Sequence, residues 1–282
     1  MSVLSRLRPA LLLAAIAAAA SAGFAADPEP TPAPAPDAPA AGSAATGFSD
    51  RLFLAFFQEA ALVPSQWWEG QIEYIDGSDD IPVNVLLLRG VVAFHPVKSL
   101  EVGGRVGFGT THAEGTLPDG TGATDLDIYG KWVFADAVEN TDFSVGASFI
   151  VPTGDDTAGL GFNSFAAQAF GGVRYRMQNI VLGGHVGVRA NGDGQFQGSD
   201  LPGTVSFELG ASALFLLASE VSIVGEVQFE SERFENVDSA TQLLVGVNWM
   251  AFKRGMFRGA IAGGLTDGAP KFRALVGYAY TF

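Results

Sequence analysis

Three histidines, at positions 95, 112 and 185, are the first residues to consider for proton-transfer chemistry in this sequence of 282 residues. They lie far apart in the sequence, and no Gly-x-Ser-x-Gly motif offers a nucleophilic serine beside them. The chain has no cysteine, which excludes disulfides and thiolate metal sites. The residue types therefore predict that the protein is not an enzyme, and that it carries no metal centre and no cofactor.

Charged residues are the second group of candidates, because they recur at alternate positions within apolar segments. In residues 271–282, Phe272, Val276 and Tyr278 share one face of an extended chain, whereas Lys271 and Arg273 share the other. The same alternation recurs upstream, for example over residues 68–74 and 243–249. One face of each segment suits lipid, and the other suits a polar lumen.

By this parity, the inward positions of a barrel would carry residues of both charge signs. The candidates for a solute path are Arg89, Arg105, Asp125, Asp127, Lys131, Arg174, Arg176, Arg189, Glu208, Glu226 and Arg273. Two interpretations stay open: a salt-bridge network that neutralises the interior, or a polar path that filters solutes by charge. Inward glycines leave space beside these side chains for water, a loop or an N-terminal helix.

The elements that must position these residues are strands. After residue 65 the chain has no run of 18 apolar residues, so a bundle of membrane helices is excluded. Only a closed sheet would then satisfy every backbone polar group inside a bilayer. Alternation predicts twelve strands, at residues 67–75, 83–95, 100–109, 123–134, 142–151, 165–176, 179–190, 204–217, 220–231, 241–250, 257–264 and 272–282. The fold class is therefore all-β, an antiparallel transmembrane β-barrel of about twelve strands.

The connections between these strands alternate in length, as in bacterial outer-membrane barrels, whose periplasmic turns are short and external loops long. A secreted soluble sandwich or barrel would also alternate, but its inward apolar face would have to interdigitate. Here the apolar face carries many aromatic residues near segment ends, which is typical of membrane interfaces. The localisation predicted is the outer membrane of a Gram-negative bacterium.

Composition narrows the class further. With 48% hydrophobic residues, 16% charged residues and a net charge of -14, the chain fits neither a disordered protein nor a nucleic-acid binder. Most of the net negative charge lies in the predicted external loops, where Arg233 is the basic residue counted against the acidic ones. Their acidic residues are Asp76, Asp79, Asp80, Glu114, Asp119, Asp155, Asp156, Asp193, Asp200, Glu232, Glu235, Asp238 and Asp267. They either keep the loops solvated or bind divalent cations that bridge to lipid phosphates.

The N-terminal region divides into three parts before the barrel of residues 65–282. Residues 1–25 predict a secretory signal peptide, with arginines before an alanine- and leucine-rich run. Residues 26–46 form a Pro/Ala-rich linker. Residues 47–64 predict a short amphipathic helix, because Phe53, Phe56 and Phe57 recur at helical spacing before Pro64. This helix could lie on a membrane, pack on the barrel or plug its lumen.

Several short motifs carry a resemblance. Tyr278, Tyr280 and Phe282 resemble the C-terminal signal by which the barrel assembly machinery reads outer-membrane proteins. The segments Val151–Asp156, Gly171–Tyr175 and Asp125–Phe134 resemble the phenol-degradation meta-pathway family of outer-membrane proteins. That resemblance implies a barrel that passes hydrophobic or aromatic compounds. The partners expected are outer-membrane lipid and the assembly machinery, with no nucleic acid.

The function predicted is an outer-membrane channel or transporter for small solutes, hydrophobic or aromatic ones included. Two alternatives remain: a structural or adhesive barrel with acidic surface loops, and a surface enzyme that modifies lipids.

Overall fold

The computed structural model describes residues 60, 62–63, 65–113 and 119–282. The described residues contain fifteen strands: β1 (Trp67–Asp76), β2 (Val83–Val97), β3 (Leu100–Ala113), β4 (Gly120–Ala123), β5 (Leu126–Val138), β6 (Thr141–Val151), β7 (Ala166–Arg176), β8 (Ile180–Asn191), β9 (Gly194–Phe196), β10 (Ser199–Leu201), β11 (Val205–Ala218), β12 (Val221–Glu230), β13 (Ala240–Phe252), β14 (Gly255–Gly264) and β15 (Phe272–Thr281). Across those same residues, no helix has both the length and the apolar character that a membrane span requires.

Twelve of these strands form one closed antiparallel barrel. Strand β1 pairs with β2 on one side and with β15 on the other, and the β1–β15 register runs from Trp67 opposite Thr281 to Asp76 opposite Phe272. The short strand β4 adds to β3, while β9 and β10 form a separate hairpin. The prediction of a twelve-stranded antiparallel barrel is confirmed.

The connections differ in length at the two ends of the barrel. Turns at residues 98–99, 139–140, 177–179, 219–220 and 253–254 join the strands at one end, which we call the short-turn end. Longer connections, such as 152–165, 192–204 and 231–239, join them at the other, the long-loop end. In bacterial barrels these are the periplasmic and external ends.

The outer face is apolar around the whole barrel. In β13, for example, Leu243, Val245, Val247 and Trp249 are all exposed on alternate positions. Exposed aromatic side chains also form a girdle at each end. The girdle near the short turns includes Trp68, Phe94, Trp132, Phe134, Phe143, Tyr175, Phe215, Trp249 and Phe257; the girdle near the long loops includes Tyr74, Phe108, Phe149, Phe165, Phe207, Phe229 and Phe272. A face of this kind is suited to hydrocarbon between two interfaces.

Ala60 and Val63, which precede β1, lie inside the short-turn end. Val63, which is 3% exposed, packs with the inward side chains Trp67, Ala93, Met256 and Ala279. Ala60 is also buried, beside the inward Gly172. Ala60, Leu62 and Val63 are not helical, and the rest of the helix predicted over residues 47–64 lies outside the described residues, as do residues 1–46.

One predicted strand is corrected. The strand expected at 123–134 is interrupted at Thr124 and Asp125, so that β4 ends before them and β5 begins after them. Thr124 exchanges two hydrogen bonds with the backbone of Gly107: its Oγ1 accepts from the amide at 2.8 Å, and its own amide donates to the carbonyl at 2.9 Å. At this interruption the Asp125 carboxylate contacts the backbone of a loop, at residues 154 and 162.

Candidate functional site

A cavity of about 470 Å³ lies inside the barrel towards the long-loop end. Its walls come from strands and from the long loops, and they differ in character. Part of the lining is apolar, with Val83, Val85 and Leu87 from β2 and Ile150 from β6. The rest carries charged residues: Arg89, Arg105, Asp125, Asp127, Arg189, Glu208, Glu230, Arg233 and Arg273. The cavity is therefore amphipathic.

One set of charges, the basic cluster, consists of Arg89, Arg105, Arg273, Glu73 and Asp127. Glu73 lies between two guanidinium groups: Arg89 Nη1 is 3.1 Å from Oε2, and Arg273 donates from Nε to Oε1 at 2.9 Å. Arg105 contacts Asp127 Oδ2 through Nη2 at 2.6 Å and Nε at 2.7 Å. The cluster therefore holds three cations and two anions.

A second set, the paired network, consists of Arg189, Arg233, Glu208 and Glu230. Arg189 Nη1 contacts Glu230 at 2.5 Å, and its Nη2 contacts Glu208 at 3.0 Å. Arg233 Nε lies 3.5 Å from the same Glu230 oxygen. Two arginines face two glutamates, so this network is balanced. His185 Nε2 lies 3.4 Å from Glu208 Oε2, and the His185 ring stacks on Phe170.

A loop folds over the cavity and is anchored by Asp125. One carboxylate oxygen accepts from the Gly154 amide at 2.9 Å, and the other accepts from the Phe162 amide at 3.1 Å. A Cβ atom on Gly154 or on Gly161 would lie 2.8 Å from Asp125 Oδ1, so only glycine permits this approach.

Aromatic packing holds the tip of this loop in place. The Phe162 ring lies 5.5 Å from Phe196 and 5.2 Å from Phe234, measured between ring centroids. The Arg233 guanidinium lies over both Phe162 and Phe234, at 5.3 and 5.7 Å. Residues 152–165 thus form part of the cavity roof, connected to the loops that follow β8 and β12.

Towards the short-turn end the interior is filled by buried polar side chains. Glu101 is fully buried and accepts from Trp67 Nε1 at 3.2 Å and Tyr129 OH at 3.1 Å. Lys131 Nζ lies 3.3 Å from the same carboxylate, and His95 Nε2 lies 3.1 Å from it. We call these five residues the Glu101 cluster.

The eleven residues predicted for a solute path divide between the two halves of the barrel. The cavity contains Arg89, Arg105, Asp125, Asp127, Arg189, Glu208 and Arg273 in its lining. Lys131, Arg174 and Glu226 are buried among the inward residues outside that lining. Arg176 lies at the short-turn end, where it pairs with Asp142 at 2.6 Å and with Asp136. Whether a solute contacts any of them stays a prediction.

Two arginines were missed by the sequence analysis. Arg258 is buried and pairs with Glu69 at 2.6 Å; its alternation with the outward Phe257 and Ile261 in β14 is the signal that could have found it. Arg233 was counted among the residues of the external loops and not among the inward ones, but it lines the cavity. No periodicity marks it, because its position depends on where Phe162 and Phe234 pack.

The histidines do not assemble into a catalytic or metal site among the described residues. Each contacts a carboxylate, His95 with Glu101, His112 with Asp119 and His185 with Glu208. Within the same part of the chain, no group of three or more histidine or acidic side chains is placed to hold a metal ion. Cation binding at the acidic loops stays a prediction.

Comparison of the fold with solved structures identifies its class. An outer-membrane channel from Pseudomonas putida F1 superposes with a TM-score of 0.66 at 16% sequence identity, over 79% of this chain and 97% of that one. The NanC porin gives a TM-score of 0.55 at 7% identity, over 76% and 100% of the two chains. The KdgM porin in complex with disordered oligogalacturonate gives 0.53 at 10% identity, over 77% and 99%. The sequence matches no protein-family profile and no curated protein.

These likenesses, the closed barrel and the two aromatic girdles define an outer-membrane β-barrel protein of the Gram-negative type, which confirms the predicted localisation. The narrower resemblance to the phenol-degradation meta-pathway family stays a prediction.

Proposed function

We propose that the protein is a channel for small solutes across the outer membrane. The observation that carries the proposal is the amphipathic cavity of about 470 Å³ at the long-loop end of the barrel. A barrel of twelve strands lies between the packed eight-stranded barrels and the sixteen-stranded porins with an open channel. Its interior therefore suits small solutes and a restricted path.

The cavity lining supports hydrophobic or aromatic solutes in particular. Val83, Val85 and Leu87 offer an apolar surface beside the charged groups. The motif resemblance points to the same class of solute. The structural neighbours are described as a channel and as porins, one of them in complex with oligogalacturonate, and they support transport in general.

A second candidate function is a closed structural barrel. The Glu101 cluster and the buried Val63 favour it, because they fill the short-turn half. We also propose that residues 1–25 are a signal peptide and that the acidic loops bind divalent cations. The barrel assembly machinery would recognise Tyr278, Tyr280 and Phe282.

Single-channel recording distinguishes the two candidates. The chain without residues 1–25 is folded into planar bilayers and compared with a variant that also lacks residues 27–64. Because Ala60 and Val63 lie inside the barrel, this deletion should raise the conductance. A variant lacking only residues 27–46 is the matched control and should conduct as the parent does. If neither the parent nor the longer deletion conducts, although heat-modifiable gel migration shows folded barrels, the channel function is wrong.

A further inference from the structure

We propose that the cavity binds a small carboxylate with an apolar body, with the carboxylate held between Arg89 and Arg105. The inference deepens the proposed function and rests on it for its biological meaning, since it names the class of solute. Binding itself can nevertheless be measured whether or not the barrel conducts.

The charges within the cavity favour an anion at one place. In the paired network two arginines match two glutamates, and Asp125 adds a further negative charge, with both of its oxygens accepting hydrogen bonds from backbone amides. The basic cluster instead has three arginines against two carboxylates. Among the described residues, cations therefore outnumber carboxylates in the basic cluster, on the wall formed by β15, β1, β2, β3 and β5.

The exposure of the side chains strengthens this difference. The Arg105 and Arg89 side chains are 37% and 22% exposed, whereas those of their partners Asp127 and Glu73 are 13% and 0% exposed. The guanidinium groups therefore face the cavity more than the carboxylates do. An entering solute meets the cations first.

Strand register brings Arg89 and Arg105 together. Arg89 lies opposite Gly107, and Arg105 lies opposite Val91, so the two arginines are diagonal neighbours on the inward face of β2 and β3. Arg89 contacts Glu73 through Nη1, and Arg105 contacts Asp127 through Nε and Nη2. Since a guanidinium has five N–H donors in a fixed fork, each arginine has more donors than these contacts use.

An apolar surface adjoins the pair. Leu87 is the next inward residue of β2 towards the long loops, and its Cδ1 would lie 2.7 Å from a Cβ atom on Gly107. Ile150 and Leu160 line the same cavity. A carboxylate at the arginines can thus place a ring or a short alkyl chain against apolar side chains, whereas a fully hydroxylated acid would leave its hydroxyls beside them.

The test measures binding by calorimetry on the folded barrel in detergent, with four probes of known charge and size. Benzoate has the charge and the apolar body; acetate lacks the body, benzyl alcohol lacks the charge, and benzylammonium reverses it. We expect benzoate to bind at least tenfold more tightly than each of the other three. Equal binding of benzoate and benzyl alcohol would overturn the proposal.

Substitutions locate the site. Arg89→Gln and Arg105→Gln should each weaken benzoate binding about tenfold, and Arg89→Lys, which keeps the charge but loses the fork, should weaken it less. Arg254→Gln removes one positive charge from an exposed turn at the opposite end and should leave binding unchanged. Heat-modifiable migration establishes that each variant is folded. Undiminished binding in the Arg89→Gln, Arg105→Gln double variant contradicts the proposal.

Conductance separates this inference from the proposed function. A barrel that conducts but binds benzoate no better than benzyl alcohol leaves the channel standing and removes the carboxylate site. A barrel that binds benzoate through the two arginines without conducting keeps the site and removes the channel.

Discussion

Glu101 is a single carboxylate that several buried donors share. Lys131 beside it has a side chain that is 0% exposed, and this carboxylate supplies a counter-charge 3.3 Å from its buried ammonium. Parity along the strands predicted that Lys131 faces inward. It could not predict Glu101 as the partner, because the two residues lie on different strands and meet only through the β3–β5 register.

We therefore expect Glu101→Gln to destabilise the barrel by about 3–5 kcal/mol, because it removes a buried negative charge 3.3 Å from the buried Lys131 ammonium. Urea-dependent unfolding in detergent micelles measures the loss. Glu220→Gln, in an exposed turn, is the matched control and should change stability by less than about 0.5 kcal/mol. Equal stability of the two variants would mean that Lys131 is compensated by other groups.

The Asp155 carboxylate makes the stability of its loop depend on pH. The Thr157 hydroxyl and the Ala158 amide donate to its carboxylate at 2.7 and 3.0 Å, and they hold the pKa of Asp155 below its usual value. A lowered folded-state pKa means that the carboxylate supports the loop fully above the unfolded-state value. This support is lost as the pH falls through the lowered value.

The Ala158 amide resonance should accordingly titrate in NMR spectra with a midpoint below that of an ordinary aspartate. In Asp155→Asn this acid titration should disappear, while the strands keep their spectra. A midpoint at or above the ordinary value would show that the two donors do not favour the charged form.

At the scale of elements, inward glycines determine how large neighbouring side chains fit inside the barrel. A Cβ atom on Gly146 of β6 would lie 2.4 Å from the Phe170 ring and 2.5 Å from the Gly130 carbonyl oxygen. Gly90 of β2 faces outward, and no atom lies within 4 Å of the Cβ position there. Two glycines in strands of the same barrel therefore differ in what an added methyl group meets.

Gly146→Ala should lower the free energy of unfolding by about 1–3 kcal/mol, because the methyl group overpacks the interior. Gly90→Ala, its control, should have almost no effect. Thermal unfolding followed by gel migration compares the two. A similar shift in both variants would indicate that strand propensity, rather than overlap with Phe170, sets the effect.

The long barrel strands could be predicted from the sequence, whereas the short strands could not. The long strands could be predicted because two-residue alternation persists over ten or more residues. The short strands β4, β9 and β10 could not, since segments of three or four residues carry too little alternation and pair only where neighbouring loops place them. The break at Thr124 and Asp125 was missed for the same reason: the amides that contact Asp125 come from residues 154 and 162.

The stability of the whole barrel depends on contact between its apolar outer face and lipid. Val245 lies midway along β13 and is 52% exposed on the lipid face. An arginine at the bilayer midplane of a barrel costs about 2–4 kcal/mol, falling to about 0–1 kcal/mol near the interfaces. We expect Val245→Arg to lower stability in lipid vesicles by the larger amount.

Leu265→Arg is the matched control, because Leu265 is also exposed but lies just beyond β14, in a long loop. It should fold almost as the parent does. Urea titration of the fraction with heat-modifiable migration measures both variants. If the two substitutions cost the same, the bilayer does not have its centre near Val245.

Pairing of β1 with β15 closes the barrel, and this is the junction between neighbouring strands that no turn or loop of the chain connects. Phe282 N donates to Gln66 O at 2.9 Å, so the two ends of the barrel sequence already meet. A few residues could join them, and the chain could instead be opened at the turn of residues 139–140. Such a circular permutant keeps all strand pairings but places Tyr278, Tyr280 and Phe282 in mid-chain. The permutant therefore separates two roles of these side chains: recognition at a chain terminus by the assembly machinery, and packing within the sheet.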